Sequence, residues 1–303
     1  MSSAVPRPPS ALAGRRVVVT GASGFIGRRL CRQLASAGAE AQPWSRALVD
    51  LGDAGAVQQA LRAAAPEIVF HLASSGVSGA MAHKPSVVID DVTMMANLVD
   101  HAPEGCHIVV AGSMSEYGAA GILSEAQRCM PKTAYGIGKL AAGLYALAYG
   151  PRRGVSVTVA RLFGVYGPGE AAVRFFPTLL RDLQARRPVA LSDGLQRRDF
   201  IHVDDASRAL LDLATRGGST GELVNVGTGV AVRVREAAEW MADAVGAPRD
   251  LLQFGARPRS PGDEDLLAAD VDHLSALIGD VPPQRLAAGL ALSLFEGEAI
   301  LPA

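Results

Sequence analysis

Tyr135 and Lys139 are residues whose types and spacing could do chemistry in this 303-residue chain. They stand four apart in a stretch that reads as a helix, and so share one face. An ammonium beside a phenol stabilises the phenolate, so Lys139 would make Tyr135 a usable proton donor and acceptor. The chain holds three lysines and five tyrosines, and chance supplies such a pair only about 0.05 times. Ser113 ends a strand expected over 107–112, where its hydroxyl can hold a substrate oxygen while Tyr135 moves the proton.

Acid–base groups of this kind need a redox partner, and the run VVVTGASGFIGRRL at 17–30 offers a place for one. Gly21, Gly24 and Gly27 are spaced G-x-x-G-x-x-G between an apolar β-branched run and a helical stretch. Gly21 allows a sharp turn, Gly24 lets the main chain approach a pyrophosphate, and Gly27 lets the helix pack closely on the strand. Ser23, Phe25 and Ile26 fill the turn, and the helix N–H groups would face the phosphates. The next strand, 40–44, ends in Ser45 and Arg46. A carboxylate there would hold a ribose 2′-hydroxyl and repel a 2′-phosphate, whereas a hydroxyl and a guanidinium bind the phosphate. NADP(H) is therefore the expected cofactor, with NAD(H) as the alternative. Asp50 and Leu51 form a lip for the adenine. Gly136 and Gly138 each cost their helix roughly 1 kcal/mol against alanine, which points to a close approach, for which a nicotinamide ribose is the candidate.

The elements that must position these groups alternate. Helices are expected over 57–65, 85–102 and from Pro131 onward, and strands over 67–73, 107–112 and 155–162. This is the signature of an α/β Rossmann-type doubly wound parallel sheet. Strand 67–73 ends Leu72-Ala73-Ser74-Ser75-Gly76, small residues that leave room for a ligand. From Gly169 the regularity weakens into a second, smaller α/β lobe for substrate. Helices are expected there at 171–185, 205–215, 234–245 and 283–294, with a short strand at 198–203 and a turn at 225–229. The organisation reads as a disordered leader (1–13), a cofactor domain (14–168, with 199–224 returning to it), and a substrate lobe (169–198 and 225–303).

Composition excludes several classes. A net charge of −1 gives no basis for nucleic-acid binding or an anionic membrane surface. No apolar run approaches the ~18 residues of a membrane span, and prolines interrupt the N-terminal stretch where a signal peptide needs continuity. A cytoplasmic enzyme is expected. Cys31, Cys106 and Cys129 read as reduced thiols, and the six histidines show no ligand spacing, so no metal is expected.

Together, TGASGFIG at 20–27, FHLA at 70–73, SMSEYG at 113–118, YGIGK at 135–139 and RRDFIHVDD at 197–205 resemble the extended short-chain dehydrogenase/reductase family. The likeness is to its nucleotide-sugar epimerase/dehydratase/ketoreductase branch. It implies that Tyr135 is the acid/base, that Lys139 binds ribose and tunes Tyr135, and that Ser113 polarises the carbonyl. It also implies a substrate diphosphate held by Arg198 and an arginine of the RPR stretch, Arg259 with Arg257 as the alternative, and a homodimer through helices near 86–102 and 131–149. The candidate cofactor set is completed by Leu72, Ala73, Ser74 and Leu162, and the substrate set by Ser75, Met114, Ser115 and Gly164. Departures sharpen the expectation. Dehydratases of the branch carry Asp-Glu where this chain has Met114-Ser115, epimerases carry an acidic residue where it has Ser45-Arg46, and Gly164 replaces the usual asparagine. The expected activity is an NADPH-dependent ketoreductase of a nucleotide-activated 4-keto-6-deoxysugar. The alternatives are a nucleotide-sugar 4-epimerase and a reductase of a non-sugar ketone.

Overall fold

Apolar alternation starts the first layer. In β1 (Arg16–Thr20) the pleat sends Val17 and Val19 to one face and Val18 to the other. The computed structural model describes residues 11–76, 83–216, 221–260, 263–283 and 285–286. After β1 come α1 (Phe25–Ser36), β2 (Glu40–Trp44), α2 (Ala54–Ala64), β3 (Ile68–His71), α3 (Ser86–His101) and β4 (His107–Ser113). The chain continues through β5 (Gly121–Leu123), α4 (Ala134–Tyr149), β6 (Ser156–Leu162), β7 (Gly164–Tyr166), α5 (Phe175–Gln184), β8 (Val189–Leu191) and β9 (Arg197–His202). It closes with α6 (Val203–Thr215), β10 (Glu222–Val226), β11 (Ala231–Arg233), α7 (Val234–Ala244), β12 (Leu252–Phe254), β13 (Leu266–Ala269) and α8 (Asp272–Ile278).

Six strands form one parallel sheet in the order β10-β6-β4-β3-β1-β2. Helices α1, α6 and α8 cover one face through Leu30, Leu34, Leu210, Leu213 and Leu274. Helices α2, α3 and α4 cover the other through Val57, Leu61, Met95, Leu98 and Ala146. This is the doubly wound Rossmann arrangement. Strand order reverses between β1 and β3, which opens a crevice at their carboxyl ends, where such sheets take ligands. The second layer is built on β9, antiparallel to β11 and parallel to β7 and β13. Helices α5 and α7 pack on this layer through Phe176, Leu179, Leu183, Ala238 and Met241.

Several boundaries differ from the sequence expectation. The helix expected at 171–185 starts at Phe175, because Arg174 N–H to Ala171 C=O closes a turn first. The helix expected from Pro131 starts at Ala134, where the Thr133 hydroxyl caps it by accepting the Gly136 N–H at 3.1 Å. Strand 67–73 stops at His71, and Ala73 N–H turns to the Thr20 hydroxyl. In the turn expected at 225–229, Asn225 and Val226 are strand residues of β10. The leader expected over 1–13 ends in order: Leu12 is buried in the first core, and Gly14 N–H donates to Gly38 C=O. Residues 1–10 and most of the helix expected at 283–294 lie outside the described residues. Residues 272–278, within the stretch expected in the substrate lobe, form α8, a helix not expected from sequence, and pack on the first core through Leu274 and Ile278.

Candidate active site

The glycine turn is built so that no other residue fits at Gly21 or Gly27. Gly21 stands at φ +65°, and a Cβ there would lie 2.7 Å from Ala73 N. A Cβ on Gly27 would lie 2.2 Å from Gly21 O, so Gly27 sets how closely α1 meets the turn. Helix α1 has no acidic residue in its first turn and no side-chain cap, leaving its orphan N–H groups for an anion. These residues fit a dinucleotide pyrophosphate. At the end of β2 the Arg46 side chain is exposed and has no partner among the described residues, with Ser45 beside it. Asp50 accepts Gly52 N–H at 3.0 Å, and buried Leu51 is fixed by Asn97, whose amide donates to its carbonyl at 2.9 Å.

Beside the turn, the ends of β1 and β3 are joined by Thr20 Oγ1 and His71 Nδ1, 2.8 Å apart. Burial, aided by the charge of Lys139, pushes the His71 imidazole down to about 3, so it stays neutral. Asp91 of α3, also buried, accepts Ser74 Oγ and Ser75 N–H, both at 2.9 Å, and Ser75 Oγ at 3.1 Å. The Ser74 hydroxyl proton is thus committed to Asp91, and that of Ser75 to Asp91 or, at 3.4 Å, to Val87 C=O. The loop they begin brings Gly76 against the Tyr135 ring, where a Cβ would lie 3.3 Å from Tyr135 Cδ2.

Tyr135 is half-buried at the start of α4, and its hydroxyl has no hydrogen-bond partner among the described residues. Lys139, buried one turn on, donates from Nζ to Ala111 C=O at 2.9 Å. Ala111 lies on β4, two residues before Ser113, so the lysine ties the helix to the strand carrying the serine. Ser113 Oγ accepts Ser115 N–H at 3.1 Å, which leaves its own proton free to donate. Its backbone N–H donates to Glu116 Oε1 at 2.7 Å, and Arg161 Nε donates to Glu116 Oε2 at 2.7 Å. The Arg161 guanidinium also lies over the Tyr117 ring, 4.5 Å from its centroid.

The close approach inferred at Gly136 and Gly138 is made by the protein itself. A Cβ on Gly136 would lie 2.4 Å from Ser115 O, and one on Gly138 would lie 3.3 Å from Val87 O of α3. These glycines therefore let the serine loop and α3 press against α4, and no ribose is needed to explain them.

A cleft of about 550 Å³ opens beyond Met114 between the two layers. Met114, Gly164 and Arg198 of the expected substrate set line it. Arg198 is paired with Asp263 across the cleft. Of the two RPR arginines, Arg257 lines the cleft, whereas Arg259 is held by Asp193 at 2.7 and 3.0 Å and by Asp265 at 2.6 Å. Arg259, expected on the diphosphate, is thus occupied by two carboxylates. A Cβ at Gly164 would lie 2.7 Å from Asp199 O, so an asparagine would not fit there. Sequence reading missed Asp91, Glu116 and Arg161. An acidic residue amid the apolar positions of α3 was the one signal available for them.

The profile of the NAD dependent epimerase/dehydratase family matches residues 17–227, and the chain belongs to that family. It is accordingly an enzyme that uses a nicotinamide cofactor. Among curated relatives, dTDP-glucose 4,6-dehydratase of Streptomyces griseus is 28% identical, with 92% of each chain covered. The dTDP-4-dehydro-6-deoxy-D-allose reductase of a Streptomyces species is 29% identical over 92% of this chain and 94% of its own. The solved structure of MoeE5 in complex with UDP-glucuronic acid and NAD is 30% identical at a TM-score of 0.77, covering 92% of this chain and 97% of that one. No helix among the described residues is long and apolar enough to cross a membrane.

Proposed function

We propose that the protein is an NADPH-dependent ketoreductase of a nucleotide-activated 4-keto-6-deoxysugar. The observation that carries this reading is the Ser113–Ser115 loop, which presents Met114 to the cleft and no carboxylate. A 4,6-elimination needs a second acid and base beside the tyrosine, whereas reduction of a ketone needs one proton donor. A nicotinamide cofactor, when bound, would supply the hydride. Tyr135 delivers its proton to the carbonyl oxygen, and Ser113, its oxygen already accepting Ser115 N–H, donates to the same atom. Lys139, anchored on Ala111, keeps positive charge beside the phenol and has two further N–H groups for the ribose. Arg198 and Arg257 grip the diphosphate, and Arg46 with Ser45 takes the 2′-phosphate of NADPH.

Loss of NADPH absorbance on mixing with dTDP-, UDP- or GDP-linked 4-keto-6-deoxysugars tests the reading. Absence of turnover with all three sinks it. A second reading, a 4-epimerase, is favoured by the NAD that MoeE5 carries. Dinucleotide retained through purification, with interconversion of C4 epimers and no net cofactor consumption, selects it. We also infer a homodimer, because Ile89 of α3 and Ile137, Leu144 and Tyr149 of α4 leave apolar surface exposed. A monomer in sedimentation overturns that inference.

A further inference from the structure

One buried polar group in the cleft has no part in the chemistry above. Glu170 lines the cleft with its side chain only 8% exposed, and its Oε2 has no hydrogen-bond partner. Its other oxygen has only a loose pairing, 3.6 Å from Nε of the exposed Arg174. Folding has therefore taken a carboxyl out of water without giving it the contacts that would offset the cost, the mark of a group kept for a ligand. Burial pushes this carboxyl up to about 7, so near neutrality it can donate as well as accept.

β7 runs parallel to β9, with Gly164 beside Phe200 and Tyr166 beside His202, and Glu170 follows beyond Tyr166. Arg198 precedes Phe200 on β9, and Gln196 lies further back. Leu162, two residues before β7, pairs with Ser113. Met114, next to Ser113, lines the same cleft as Arg198 and Glu170, so a glycosyl unit reaching from a diphosphate at Arg198 to Ser113 lies in the cleft that Glu170 lines.

We propose that Glu170 is a specificity-determining residue that hydrogen-bonds a hydroxyl of the substrate's glycosyl unit. This rests on the nucleotide-sugar reading and names the residue that recognises the sugar. The test compares affinities by calorimetry for UDP, dTDP and GDP with those for UDP-glucose, dTDP-glucose and GDP-mannose, in the wild type, Glu170→Gln and Glu170→Leu. In the wild type the hexosyl group should strengthen binding over the free diphosphate. Glu170→Leu should lose about five- to tenfold of that gain, Glu170→Gln should keep most of it, and all three should bind the diphosphates alike. Glu170→Leu should also melt no lower than wild type, because the loose pairing with exposed Arg174 is the one contact removed and an unsatisfied buried carboxyl goes with it. An unchanged hexosyl gain, an equal loss for diphosphate and nucleotide sugar, or a destabilised or unfolded Glu170→Leu overturns the proposal while the nucleotide-sugar reading stands. Binding of none of the six compounds to the wild type sinks that reading, and this proposal with it.

Discussion

The crevice between β1 and β3 and the cleft beyond Met114 treat buried carboxyl groups in different ways. At the crevice, Asp91 accepts three hydrogen bonds, Glu116 is matched by Arg161 and a backbone N–H, and Lys139 is tied to Ala111, with Arg161 Nη1 the one buried atom of this network that has no partner among the described residues. In the cleft, Glu170 Oε2 and Gln196 Oε1 are buried without partners. A satisfied network holds one geometry, which suits a reaction whose atoms must be placed within tenths of an ångström. Unsatisfied groups leave hydrogen bonds to be completed by whatever binds, which suits discrimination among ligands.

Substitutions can break this contrast, beginning with the largest effect. Tyr135→Phe removes the proton donor alone, and kcat should fall by about 10²- to 10⁴-fold with affinity for a nucleoside diphosphate unchanged. Retained turnover would move the acid to another residue. Next is Asp91→Ala, which leaves two serine hydroxyls and an N–H without their acceptor and should cost on the order of 3 kcal/mol. Denaturant unfolding measures it. Because Asp91 also positions Gly76 against Tyr135, kcat should fall too, and a variant with wild-type stability would show the crevice network to be dispensable. Arg46→Ala should raise the KM for NADPH about tenfold and leave that for NADH unchanged. Equal effects on both cofactors would remove the 2′-phosphate role.

Legibility in the sequence follows the same divide between near and distant partners. The glycine turn, Tyr135 with Lys139, and Ser113 could be proposed from sequence because the signal for each is short spacing within or at the end of one element. Glu116 and Arg161 lie 45 residues apart, and Asp91 lies 17 from Ser74, so their pairing exists only after the sheet has formed. Gly136 and Gly138 show the converse. Their demand for space was visible, but the neighbour that fills it comes from other elements. Asp193 and Asp265, which hold Arg259 and leave Arg257 on the cleft, could not be placed against either arginine from sequence alone.

The smallest expected effect gives the contrast a pH signature. His71 in the crevice is held near 3 by burial, against 6.5 when exposed. Below pH 6.5 the unfolded chain therefore takes up a proton that the folded one refuses, and stability is lost as pH falls toward 3. Glu170 in the cleft is held near 7, against 4.5. Above pH 4.5 the unfolded chain releases a proton that the folded one keeps, and stability is lost as pH rises toward 7. Between these limits the two slopes oppose each other. Glu170→Leu removes only the second, so its melting temperature relative to wild type should rise by a few degrees between pH 4.5 and 7 and then level off. A difference that stays constant across that range would mean the Glu170 carboxyl is ionised in the folded protein, and that the cleft does not hold it in the protonated form.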